Sequence, residues 1–166
     1  MANIYTLTSW NGGGTQTDNF KVYNTATDFT CSFREPIRIA PRSLVRIQFA
    51  KFYLASSTDF SPMYITCPSL TTMNSQMAEI GPNGVLGISN RDDANDAGGK
   101  ASIVDNNQFA YVSINNAEWL NISELQIKLL DVDGSINDSV WNGTQTEETA
   151  TTIVLHIIPS SFKQLV

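Results

Sequence analysis

Charge is scarce in this 166-residue chain: only 16 % of its residues are Asp, Glu, Lys or Arg, against about a quarter in ordinary soluble domains. The surface must therefore be built from uncharged polar residues, and Asn, Ser and Thr crowd the sequence. That bias suits strands and long loops, because exposed helix faces normally carry Glu, Lys and Arg. Helical periodicity is nearly missing too. Only residues 71–80, with Met73, Met77 and Ile80 on one helical face ahead of Pro82 and Gly84, predict a short helix or a loop. Long apolar runs are also lacking. The longest, residues 153–158, is interrupted by His156 and stopped by Pro159, far short of the roughly 20 residues of a membrane span. Met1-Ala2-Asn3-Ile4 offers neither a basic start nor an apolar stretch, so no secretory signal is read there.

Histidine occurs once, in the middle of Ile153-Val154-Leu155-His156-Ile157-Ile158. Nucleophilic triads need an imidazole at a pocket rim, oriented by a carboxylate; a mid-strand His156 reads as structural. With Cys31 and Cys67 far apart and unaccompanied by other ligands, no zinc spacing exists. Each cysteine sits in an apolar, strand-like setting and reads as a buried free thiol in a reducing compartment, with a single disulfide as the open alternative. The expectation is a soluble protein with no catalytic site, cofactor or metal. The net charge of −6 excludes nucleic acid as the main partner except through a local basic patch.

What is present is period-two alternation. Leu125, Ile127 and Leu129 alternate with Gln126, Lys128 and Leu130; Val45, Ile47 and Phe49 alternate with Arg46, Gln48 and Ala50. Phe109 and Tyr111 alternate with Ala110, Val112 and Ile114, and residues 153–158 are apolar on both faces, as in a central strand. Weaker strands are expected at residues 4–8, 20–23, 28–33, 63–66 and 85–89. About eight strands in one domain, joined by irregular and sometimes long connections, predict an all-β fold, best a single jelly-roll β-sandwich. Residues 1–19, with Gly12-Gly13-Gly14, read as an N-terminal strand or arm ahead of a domain spanning 20–166.

The polar constellations mostly read as structure. Asp131-Val132-Asp133-Gly134 resembles the opening of a calcium loop, but no Glu stands at the twelfth position, so a turn is expected. Asp92, Asp93 and Asp96 read as a solvated loop, and adjacent Glu147 and Glu148 fix no catalytic carboxylate separation. The cations are more informative: Arg34, Arg38, Arg42, Arg46 and Lys51 lie within residues 34–51. On continuous strands Arg38, Arg42 and Arg46 would share a face, suited to an acidic neighbour or to another copy of this acidic chain.

The order of segments then resembles a known family. Phe33-Arg34-Glu35-Pro36-Ile37-Arg38-Ile39 is followed by a long strand at 44–53, by Tyr64-Ile65-Thr66-Cys67-Pro68-Ser69-Leu70, by Gly84-Val85-Leu86-Gly87, and by Tyr111-Val112-Ser113-Ile114-Asn115-Asn116. Residues 122–134 (ISELQIKLLDVDG) and 152–157 close the series. This set resembles the single jelly-roll penton or minor capsid proteins of polinton-like viruses, virophages and related large DNA viruses. The resemblance implies a virion structural subunit, a homopentamer at a capsid vertex, contacting the larger major capsid protein. Loop aromatics and cations, Trp10, Arg34, Arg38, Arg42, Arg46 and Trp141, are the contact candidates. A minor capsid protein between capsomers is one alternative. The other is a carbohydrate- or receptor-binding module using Trp10, Trp119 or Trp141.

Overall fold

The computed structural model describes residues 3–10, 25–54, 63–70, 84–89, 109–138, 140–141, 143 and 145–159, and the backbone of 101–104. The Gly12-Gly13-Gly14 loop, the strand expected at 20–23, the helix or loop at 71–80 and the acidic loop with Asp92, Asp93 and Asp96 lie outside the described residues.

The alternating segments form strands: β1 (Asn3–Thr8), β2 (Asp28–Ile39), β3 (Leu44–Tyr53), β4 (Met63–Thr66), β5 (Val85–Ser89), β6 (Ala101–Val104), β7 (Val112–Ser113), β8 (Leu120–Leu130) and β9 (Thr152–Ile158). Among the described residues there is no helix, hence none long and apolar enough to cross a membrane. The strands make two antiparallel sheets, one in the order β1-β9-β3-β6 and the other in the order β2-β8-β4-β5. Both β6 and β7 pair with β3, opposite residues 50–53 and 44–45 respectively. They run in one direction along one edge, so together they act as a single interrupted strand. β6 was not anticipated, because Ala101-Ser102-Ile103-Val104 is too short to show a period.

Apolar faces of the two sheets meet in one core. Leu7, Val45, Ile47, Ala50, Phe52, Ile153 and Leu155 of the first sheet cluster with Phe29, Cys31, Ile65, Leu125, Ile127 and Leu129 of the second. The alternation of β8 and of Ile153, Leu155 and Ile157 holds as expected. In β3 it breaks. The pairing of β3 with β9 slips between Ile47 and Phe49, and one extra residue reverses every following side chain. Ala50 and Phe52 therefore point inward while Phe49 does not, contrary to the simple alternation. Leu130, expected on a wet face, is buried beside Tyr64, its partner in β4.

Aromatic rings close the two long sides of the sandwich. On one side Tyr5 of β1 meets Phe33 of β2 edge-to-face, with centroids 5.7 Å apart, and Cys31 Sγ donates to Thr8 O at 3.4 Å. On the other side the Phe109 ring lies against Gly87 of β5, where a Cβ would stand 2.4 Å from Phe109 Cδ1. Both cysteines are free and buried, and burial pushes the Cys67 thiol up to about 12.

Gly84 closes the turn into β5 with φ +75°, its carbonyl accepting from Cys67 N at 2.8 Å. A Cβ there would sit 2.2 Å from Cys67 O. Gly84→Ala combines an unfavourable left-handed backbone with a backbone clash and is expected to cost about 3 kcal/mol or more. Urea denaturation measures this; an unchanged midpoint would refute the described turn.

Candidate interaction surfaces

Strand direction sorts the polar groups into two ends and one outer face. At the first end meet the start of β1, the β2–β3 turn, the start of β8 and the end of β9. The turn is held by Asn116, buried at 5 % exposure. Its Nδ2 donates to Ala40 O and Glu118 O, at 2.9 and 3.0 Å. Arg42 N in return donates to both Asn116 O and Asn116 Oδ1, each at 2.9 Å. This double anchorage keeps Arg42 in the left-handed region at φ 55° and throws its side chain into solvent. Beside the turn, the Arg38 guanidinium lies 4.9 Å above the Trp119 ring, and Trp119 remains 55 % exposed. Between them opens a cleft of about 180 Å³ lined by Asn3, Arg38, Ile39, Ser43, Trp119 and Ile157. Arg34 is exposed nearby, where the pairing of β2 with β8 slips between Ser32 and Ile37.

At the opposite end, β1 runs into Ser9 and Trp10. Ser9 N donates to Thr151 O, and Thr151 N donates to Ser9 Oγ, both at 3.0 Å. Trp10 is half-buried. Trp141 is held by its backbone, which donates to Tyr53 O at 2.7 Å, and its ring packs over Gly143 while staying 40 % exposed. Beyond β8 the chain forms a tight hairpin, with Asp131 N donating to Ser135 O and Gly134 N donating to Asp131 O. Gly134 has φ +86°, as the turn reading requires. The Asp133 carboxylate accepts from Ser135 N and Oγ, which holds its pKa below the usual value. Asp131 accepts from Asn137 Nδ2 at 2.6 Å. Val132 and Ile136 project from this hairpin at 54 % and 44 % exposure.

On the outer face of the first sheet, His156 lies in register between Ile4 of β1 and Arg46 of β3. Tyr111 Oη is 2.8 Å from His156 Nδ1, and the Arg46 guanidinium stacks 4.5 Å over the Tyr111 ring. His156 is thus in mid-strand, as expected, and sits in a cation–aromatic row.

The six residues expected to make contacts are not brought together. Arg34, Arg38 and Arg42 lie at or near the first end, Trp10 and Trp141 at the other, and Arg46 on the outer face. The shared face expected for Arg38, Arg42 and Arg46 does not form, because the chain turns after Pro41 and changes sheets before Arg46. Lys51 departs as well, its Nζ donating to Glu147 O. The Arg38–Trp119 stack and the Asn116 clamp escaped sequence reading, since both join residues more than 70 positions apart with no local periodicity. No family model, curated protein or solved structure matches this chain.

Asn116→Ala removes the side-chain bonds to Arg42 N, Ala40 O and Glu118 O, while Arg42 N keeps Asn116 O and Ala40 O keeps Ser43. The loss of these buried bonds is expected to cost about 1–3 kcal/mol, read as a lower midpoint in urea. For His156, burial first and the Arg46 charge second lower the pKa from 6.5. A lowered imidazole pKa means the unfolded chain takes up its proton first, so stability is complete above pH 6.5 and declines as pH falls toward the folded value. Arg46→Met is expected to raise the His156 pKa measured by NMR yet leave it below 6.5, because burial is the larger cause; no movement would remove Arg46 as a contributor.

Proposed function

We propose that this chain is a viral structural protein: a jelly-roll penton subunit that assembles at a capsid vertex through edge and loop contacts with itself and with a larger capsid protein. Strand order is the observation that carries the reading. The first strand pairs with the last and the second with the next to last. The chain changes sheets at nearly every connection, and among the described strands only β4–β5 is a successive pair side by side in one sheet. Two interleaved Greek keys wind in this manner, and jelly rolls of this kind build viral shells and lectin domains. The segment order quoted above supports the capsid branch, as do end loops that combine exposed aromatics with cations or acids. Such a subunit works by fitting neighbours, repeating one contact around a symmetry axis.

A second reading, a carbohydrate- or receptor-binding jelly-roll module, draws on one observation: Trp119 exposes its ring at the mouth of a cleft beside Arg38. Mass measurement separates the two. The capsid reading expects closed rings, visible by negative-stain imaging of the purified chain or of particles formed with the major capsid protein. A protein that stays monomeric at all concentrations and is retained on a glycan array would overturn it in favour of the second reading.

A further inference from the structure

We propose that the two ends of the sandwich are complementary halves of one head-to-tail contact, in which the 131–138 hairpin of one copy docks into the Arg38–Trp119 cleft of the next. This deepens the assembly reading above and rests on it.

Charge comes first. Arg34, Arg38 and Arg42 gather at or near one end, alongside exposed Glu35 and Glu118, and Arg38 is the charged residue that lines the cleft itself. Asp131, Asp133 and Asp138 stand at the opposite end, on or beside a hairpin. Shape and polarity follow the same division. The hairpin is a knob whose exposed apolar side chains, Val132 and Ile136, are flanked by carboxylates. The cleft is a socket of about 180 Å³ in which Ile39 and Ile157 form apolar wall while Arg38 and the Trp119 ring form the rim. An apolar centre with a charged rim is how stable protein contacts are built. Rigidity favours docking as well. The hairpin is braced by the Asp133–Ser135 and Asp131–Asn137 hydrogen bonds and the socket by Asn116, so little flexibility is lost on association. Since knob and socket sit at opposite ends, the contact is heterologous and propagates, closing into a ring when the rotation per copy allows.

The test uses the full chain. Sedimentation at low salt is expected to show association that weakens as salt is raised. Arg34→Glu with Arg38→Glu, and separately Val132→Arg with Asp138→Arg, are each expected to weaken association at least tenfold while leaving the thermal midpoint within a few degrees. Mixing the two variants in equal amounts restores it, because each supplies the end the other lacks. Single-cysteine probes give an independent readout. A mixture of Trp119→Cys and Val132→Cys chains, mildly oxidised, forms the mixed disulfide dimer in excess over either like pair, with Cys31 and Cys67 silent because they are buried. Should the wild-type chain assemble while both charge variants assemble equally well, or the mixed dimer fail to form in excess, the head-to-tail contact is overturned and the assembly reading stands. Should the wild-type chain remain monomeric throughout, both fall.

Discussion

Neither sheet can exist alone here, and that mutual dependence governs the rest of the molecule. Ile47, Phe52, Ile153 and Leu155 on one side and Phe29, Ile65, Leu125 and Ile127 on the other are at 0 or 1 % exposure within one cluster. Burying each such side chain contributes about 1.5–3 kcal/mol, and truncating one to Ala in a packed core typically costs about 2–5 kcal/mol. Because β1, β3 and β9 belong to one layer and β2, β4 and β8 to the other, the chain crosses between layers at most of its connections. Folding is therefore dominated by contacts between distant positions.

How much of this was legible depended on whether the signal was local. Leu125, Ile127 and Leu129 declare their face by alternation, as do Ile153, Leu155 and Ile157, and the described chain places all six inside. Phe49 and Ala50 were misread because a bulge is one inserted residue with no compositional mark, and it inverts everything after it. Asp131-Val132-Asp133-Gly134 was legible as a turn, since Gly at a left-handed position is a local demand. The cationic row was half legible. Its residues were found, but their grouping assumed a continuous strand where Pro41 and Arg42 make a corner. Asn116 and the Arg38–Trp119 stack had no local trace, being products of topology alone.

The two ends differ in what they offer a neighbour. One presents the Arg38 guanidinium over an exposed indole, with Glu35 and Glu118 close by, and the other presents carboxylates around exposed aliphatic side chains. On the outer face of the second sheet, Lys128 pairs with Asp28 at 3.5 Å, and Gln126 Nε2 donates to the same carboxylate at 2.7 Å.

Pro36 sits in β2 where the ladder slips, flanked by exposed Arg34, Glu35 and Arg38. Among the described strands, β2 borders its sheet and hydrogen-bonds in register only to β8, so its outward rim would otherwise be a template for a foreign strand. A residue with no amide hydrogen, set in a kink and ringed by charge, cannot extend a cross-β stack. Growth by indiscriminate strand addition is thereby halted at that border, so the chain can be concentrated without building stacked sheets there.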